Sequence, residues 1–347
     1  MIKIDQRQIG AGQPPYIVAE LSANHGGDLQ KALDTMTAAR DAGADAIKLQ
    51  TYTPDTMTIR SDRPEFQISD GLWAGHSLYE LYQWAHTPFE WHQALFDHAR
   101  ALGITCFSTP FDETAVDLLE SLGAPAYKIA SFEATDLPLI RYVAQTGKPM
   151  IISTGMANLD EIMEAVQVTQ QAGCSQLILL HCISSYPAPI DQANLQTLVD
   201  LHKRTGVQVG LSDHTLGNTA ALVAVALGAC FIEKHFTLDR SDASPDASFS
   251  ILPDELKELV NQSQDAWLSL GQAGYSLKDA EKANLRFRRS VYFVRDLQQG
   301  DTITSADVRR IRPGYGLPPR DFEAVIGRTV RCDISAGTAV SWELIQQ

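Results

Sequence analysis

The sequence predicts an eight-stranded (β/α)₈ barrel followed by a small β-rich domain. Three observations carry that expectation. Glycine recurs just before successive apolar runs, at Gly43, Gly103, Gly123, Gly147, Gly173, Gly206 and Gly228. Each closes an amphipathic helical stretch, where glycine supplies the left-handed residue that ends a helix. The runs themselves climb from apolar to polar residues, as strands of a parallel barrel do toward the rim that carries chemistry. Near Tyr275 the alternation stops, and short apolar pieces separated by Gly300-Asp301, Pro313-Gly314 and Ala336-Gly337 take over.

In chain order the expected strands are Tyr16–Leu21, Ala46–Thr51, Ile104–Thr109, Ala126–Ala130, Met150–Ser153, Leu177–Cys182, Gln208–Ser212 and Cys230–His235. Eight strands alternating with helices over roughly 250 residues fit a closed barrel better than an open doubly wound sheet. No Gly-x-Gly-x-x-Gly follows the first strand, so a dinucleotide site is unsupported. One interruption stands out, from Tyr52 to about Pro88, and a long loop at the active rim is usually a lid or a substrate wall. The expected organisation is a barrel over 1–275, a charged linker over 276–289 and a β-rich domain over 290–347. In that domain the pieces Val291–Val294, Thr329–Arg331 and Val340–Trp342 read as strands.

Composition narrows the class. With 44% hydrophobic and 20% charged residues the chain is an ordinary globular protein. Net charge is −14, which argues against nucleic acid or an anionic membrane as partner. The charge is uneven: residues 286–347 hold ten arginines, no lysine and seven acids, or +3, which leaves −17 for the rest. A basic tail beside an acidic body suggests docking between them. Met1 leads straight into Ile2-Lys3-Ile4-Asp5 without an apolar signal segment, and Ala220–Ile232 is too short to span a bilayer, so the cytoplasm is the expected location. Five cysteines without Cys-x-x-Cys spacing read as small buried hydrophobes.

Polar residues at the strand ends form a consistent set. His214 and His235 end neighbouring strands, where two neutral imidazoles suit a divalent metal, or else merely cap buried strands. Lys48 and Lys128 are informative because lysine in a barrel mouth is costly unless it meets an anion or forms a Schiff base. With Ser131 and Ser153 they would make a phosphate cradle. Glu20 is the candidate general base or hydroxyl clamp. Gln50 shares the face of Lys48, Tyr186 follows the sixth strand, and Asp213, His214, Glu233 and His235 close the last two. Lys234 has the opposite parity and belongs to the outer face.

These motifs resemble the sialic acid synthase family. Ala19-Glu20-Leu21-Ser22-Ala23-Asn24-His25, Ile47-Lys48-Leu49-Gln50-Thr51, Tyr127-Lys128-Ile129-Ala130-Ser131, Ser153-Thr154-Gly155-Met156, Gly210-Leu211-Ser212-Asp213-His214-Thr215 and Glu233-Lys234-His235-Phe236-Thr237 carry the likeness. The C-terminal piece, with Ser290-Val291-Tyr292, Gly300-Asp301 and Arg312-Pro313-Gly314, resembles that family's antifreeze-like (SAF) domain. The runs Lys48-Leu49-Gln50-Thr51-Tyr52-Thr53-Pro54-Asp55, Leu72-Trp73, Ser77-Leu78-Tyr79 and Ser248-Phe249-Ser250 look more like its pseudaminate branch than its N-acetylneuraminate branch. Ser184, where sialic acid synthases often carry asparagine, departs from the latter.

The resemblance implies condensation of phosphoenolpyruvate with an N-acetylated amino-sugar aldehyde, releasing phosphate. For the pseudaminate branch that sugar is 2,4-diacetamido-2,4,6-trideoxy-L-altrose; the legionaminate and N-acetylneuraminate reactions are the alternatives, and a metal-dependent pyruvate aldolase is the rival of a different class. It also implies that His214 and His235 hold manganese or magnesium, or cobalt. Lys48, Lys128, Ser131 and Ser153 would bind phosphoenolpyruvate. Glu20, Gln50, Tyr186 and Asp246 would contact the sugar, with Trp73 to Trp84 against its methyl group. Arg312 would reach a partner subunit's sugar, which implies a domain-swapped homodimer.

Overall fold

The eight central runs mostly climb from apolar to polar residues, and in the computed structural model, which describes residues 2–346, they close into one parallel barrel. The strands are β1 (Ile2–Ile4), β2 (Arg7–Ile9), β3 (Tyr16–Glu20), β4 (Ala46–Thr51), β5 (Thr105–Pro110), β6 (Tyr127–Ile129), β7 (Met150–Ser153), β8 (Leu177–Cys182), β9 (Gln208–Asp213) and β10 (Phe231–His235), then β11 (Ser290–Phe293) and β12 (Val308–Ile311). β3 to β10 pair in sequence, and β10 pairs back onto β3 to close the ring. The expected strands agree with these to within a residue at each end.

All seven glycines named above take positive φ, between 67° and 103°. The helices between strands show why their sequences stay helical. Ahead of Leu159–Gln171, Asn158 Oδ1 accepts from Glu161 N at 3.1 Å while Asn158 N donates to Glu161 Oε2 at 2.8 Å. This reciprocal cap satisfies two otherwise orphaned backbone donors. Between β9 and β10 the alanine-rich Thr219–Ala226 packs tightly on Pro253–Leu270, because small side chains let the backbones approach.

One element has no counterpart in the expected list. Ile2, Ile4 and Ile9 on the β1–β2 hairpin are buried and cluster with Tyr16, Val18, Phe107, Ile151, Ile178 and Phe231, which fill the barrel's lower interior. The hairpin stoppers the floor. Its alternating Ile2-Lys3-Ile4 is a half-buried strand pattern, and three residues are too few for it to stand out from sequence alone.

The chain divides into two units, the first ending at Gly271 and the second starting at Gln272. The stretch expected as a linker carries a short helix, Asp279–Lys282, and a 3₁₀ segment, Ala283–Phe287. The second unit has its own core of Val291, Phe293, Ile303, Val308, Val325, Val330, Ile334, Val340 and Ile345. Its β-rich reading needs correction in detail. β12 was not anticipated, while Thr329 and Val330 form isolated bridges rather than a strand, and Val340–Trp342 holds neither, its neighbour Ala339 bridging Tyr292 and Trp342–Leu344 forming a 3₁₀ turn. So few ladder bonds form because Gly and Pro punctuate the segment every few residues. No helix among the described residues is long and apolar enough to cross a membrane.

Candidate active site

Strand parity decides which side chains meet. Glu20, Lys48, Lys128, Ser153, Ser212, Glu233 and His235 all share the strand parity of the barrel's lower interior, further along each strand, so they form the layer above it, toward the strand C-termini. Register places Glu20 beside Lys48 on one side and beside His235 on the other.

The layer is an ion network almost without water. Lys48 and Lys128 are 4% and 2% exposed. Lys48 Nζ lies 2.9 Å from Glu20 Oε2 and 3.6 Å from Glu233 Oε2, and it donates to Thr109 Oγ1 at 3.1 Å. Among the described residues, Lys128 Nζ has only Glu233 Oε1, at 3.6 Å, as its ion partner. Glu233 therefore holds the two ammonium groups apart by standing between them, and Ser212 Oγ donates to it at 3.0 Å. Burial pushes Glu233 up, yet Lys128 and Lys48 outweigh it and hold the carboxylate below its usual range. Burial drives Lys128 below the usual lysine range despite Glu233. It pushes Glu20 up to about 7 against the pull of Lys48, which leaves a carboxyl able to give or take a proton near neutrality. Sequence reasoning noted Glu233 at its strand end but gave it no task, because its role exists only once two distant lysines converge.

Asp213 corrects the strand-end inventory, while Lys234 lies on the outer face as its parity predicts. Both point away from the barrel axis, and both are buried under the helical layer. Lys234 Nζ lies 2.7 Å from Asp213 Oδ2 and 2.6 Å from the Thr215 carbonyl, while Asp213 Oδ1 accepts from Thr215 N at 2.9 Å. The pair clamps the loop that carries His214.

His214 and His235 come together, with ring centroids 5.3 Å apart. Nδ1–H of His214 donates to the Ile183 carbonyl at 3.0 Å, which frees Nε2 as a lone-pair donor. His235 Nδ1 is buried without a hydrogen-bond partner, 3.7 Å from Asp246 Oδ2. Burial, with His214 and Lys48 adding to it, holds His235 well below its ordinary range and so neutral. Burial depresses His214 too, but Cys182 and the Ile183 carbonyl outweigh it, so a cation arriving there has a proton to displace. These donors fit a divalent cation. No group of three or more His, Cys, Asp or Glu side chains among the described residues is placed to hold one, so the remaining coordination falls to water or substrate.

Above the ions lies a cavity of about 220 Å³ that Ser22, Gln50, Tyr186, His235 and Asp246 enter from the barrel side. The long loop supplies the opposite wall. Trp73 stands 5.9 Å from the Tyr186 ring and donates from Nε1 to the Pro245 carbonyl at 3.1 Å. Tyr79 and Trp84 do not join it, against expectation. The Tyr79 hydroxyl turns to Asp55 with Arg60 over its ring, and Trp84 is 40% exposed. Tyr52, Leu81, Tyr82 and Ala85 take their place. Ser131 Oγ accepts from Gly155 N at 3.2 Å, and a Cβ on Gly155 would collide with Ser131 and Ser184, so only glycine fits that turn. Ser153 Oγ is buried with no partner, as a group waiting for a ligand would be. Arg312 lies in the second unit and is exposed there.

Glu133, just past Ser131, is a further member of the site. It lines the cavity, and its Oε2 is buried without a partner. Burial pushes its carboxyl up to about 7, against Lys128. A raised carboxyl favours the neutral form, so the fold is most stable below the ordinary glutamate range and loses stability as pH rises through about 7. Glu133→Gln keeps the neutral shape, so it is expected to leave melting unchanged at pH 4, below the ordinary glutamate range, and to stabilise the protein by about 1–3 kcal/mol at pH 8. Equal melting of the two proteins at pH 8 would return Glu133 to ordinary solvated behaviour.

Comparison with known proteins places this geometry. Residues 35–275 match the NeuB family and residues 288–346 match the SAF domain. The chain is 43% identical to the pseudaminic acid synthase of Campylobacter jejuni strain 81-176, covering 94% of this chain and 95% of that one. It is 42% identical to the pseudaminic acid synthase of Helicobacter pylori, covering 96% and 99%. Among solved structures, the N-acetylneuraminic acid synthetase of Leptospira borgpetersenii superposes with a TM-score of 0.74 at 32% identity, covering 83% of this chain and 95% of that one. The chain belongs to the NeuB family.

Proposed function

We propose that this enzyme is a pseudaminic acid synthase, condensing phosphoenolpyruvate with the open-chain aldehyde of 2,4-diacetamido-2,4,6-trideoxy-L-altrose. One observation carries the reading: two buried lysines, a buried histidine pair and a carboxyl with a pKa of about 7 converge beneath a cavity whose far wall is aromatic and apolar. Its likeness to pseudaminic acid synthases over nearly the full chain supports the choice of sugar.

In this reading Lys48, Lys128, Ser131 and Ser153 hold the phosphate and carboxylate of phosphoenolpyruvate in the deep layer. Gln50, Tyr186 and Asp246 seat the sugar above it. C3 of phosphoenolpyruvate forms a bond to the aldehyde carbon, and the aldehyde oxygen takes a proton from Glu20. Water adds to the cationic C2 and returns a proton to Glu20, and phosphate leaves with the C2 hydroxyl's proton as its bond to C2 breaks and the C2 ketone forms. His214 and His235 would hold manganese, magnesium or cobalt, which supplies Lewis-acid polarisation of a carbonyl oxygen when bound. Charge division between the two units, with Arg312 on the basic side, supports a domain-swapped homodimer in which that arginine serves a partner's sugar.

Phosphate release tests the reading, with the trideoxy-altrose and N-acetylmannosamine compared in the presence and absence of EDTA. Release with the first sugar alone, abolished by EDTA, is expected. Release with N-acetylmannosamine would keep the chemistry and overturn the sugar. Trp73→Ala is expected to raise the KM of the sugar about tenfold, since an indole face is lost. The KM of phosphoenolpyruvate should hold, and equal effects on both would remove Trp73 from the sugar wall.

A further inference from the structure

Ser22 is 3% exposed and adopts φ +46°, a left-handed conformation that glycine takes freely and a serine rarely does. Its hydroxyl explains why a side chain stands there. It donates to Asp246 Oδ2 in a short hydrogen bond and accepts from Gln50 Nε2 at 2.9 Å. The same Gln50 amide donates to Glu20 Oε1 at 2.9 Å. One hydroxyl thus ties the Asp246 carboxylate to the Gln50–Glu20 pair, across the rim where β3 and β4 meet the loop after β10.

The backbone of that loop has independent anchors. Asn24 Nδ2 donates to the Phe236 carbonyl and to Ser250 Oγ, both at 2.9 Å, and Asn24 Oδ1 accepts from Ser244 Oγ at 2.7 Å. Ser250 Oγ in turn donates to the Asp246 carbonyl at 2.6 Å. With the main chain held by these bonds, the Ser22 hydroxyl governs where the Asp246 carboxylate points. That matters because the Asp246 carboxylate faces Ser22 and the Ala23 backbone N–H on one side and the His235 ring at 3.7 Å on the other.

We propose that Ser22 is a positioning residue for the sugar side of the reaction: its hydroxyl, held in a strained backbone, aims the Asp246 carboxylate and the Gln50 amide into the cavity. This rests on the assignment of Gln50 and Asp246 to the sugar. Ser22 touches neither phosphoenolpyruvate's lysines nor the buried serines of the cradle, so its effect should fall on one substrate.

The test uses the full chain and whichever acetamido sugar the wild type turns over, so the identity of the sugar is read on the wild-type arm alone. Ser22→Gly removes the hydroxyl and relieves the backbone, and Ser22→Ala removes the hydroxyl and keeps the strain. Both are expected to raise the sugar's KM about tenfold, with the KM of phosphoenolpyruvate unchanged within twofold. Melting temperature should stay level or rise for Ser22→Gly, which separates the effect from misfolding. In an Asp246→Asn background, Ser22→Gly should add less than a twofold further loss, because the group it aims is already altered. Wild-type KM values in Ser22→Gly, a parallel loss for both substrates, or losses that multiply in the double variant would each overturn the proposal.

Discussion

Lys128→Met is expected to lower kcat/KM for phosphoenolpyruvate by about 10²–10³-fold, the usual cost of deleting one preorganised charge from a site of developing anions. The same variant should melt no lower than the wild type, and higher is the expected direction. Lys128 is almost fully buried, its one ion partner sits at 3.6 Å, and burial already depresses its protonation. An ammonium so placed destabilises the empty protein, whereas methionine fills similar space without a charge to desolvate. Glu233 keeps Lys48 after the change, so no buried carboxylate is abandoned. Phosphate-release kinetics and thermal melts on one preparation check both halves. A loss under tenfold would take Lys128 out of the anion cradle, and a fall in melting temperature would make it a structural lysine. Such a split between stability and activity is what a group kept for ligand binding produces.

The histidine pair makes the second large prediction. Manganese at about a hundred times its dissociation constant should stabilise the folded enzyme by about 2.7 kcal/mol. That corresponds to several degrees in a melt, reversed by EDTA. His214→Asn with His235→Asn should abolish the shift and the turnover together, while the fold survives. Because binding displaces a proton from the His214 ring, the shift should shrink as pH falls. A manganese shift that persists in the double variant would place the cation elsewhere.

Much of this site was legible in the sequence, and the reason is topological. In a parallel barrel every strand delivers its last residues to one rim, so Glu20, Lys48, Lys128, Ser153, His214 and His235 could be gathered without knowing a single distance. Parity also sorted Lys234 to the outside. What parity could not supply was partnership. Asp213 belongs to Lys234 rather than to the cavity, and Glu233 stands between lysines that lie 80 residues apart in sequence, Lys48 and Lys128. The long loop was recognisable as a wall, but which aromatic faces inward depends on the two short helices Pro54–Met57 and Leu78–Ala85, whose relative rotation turns Tyr79 toward Asp55. The second unit was read least well, since bridges of one residue leave no period to detect.

The hairpin at the barrel floor has a consequence for the order of events. With Ile2, Ile4 and Ile9 packed beneath the apolar layer, the floor of the barrel is closed and the chamber opens at the rim. The lysines lie deep and the aromatic wall lies shallow, so a sugar already seated would block the way down. Phosphoenolpyruvate must enter first, and the sugar closes the chamber behind it. Initial-rate and dead-end inhibition patterns should therefore be those of a compulsory-order enzyme, and a protein lacking residues 2–9 should lose that strictness along with its stability.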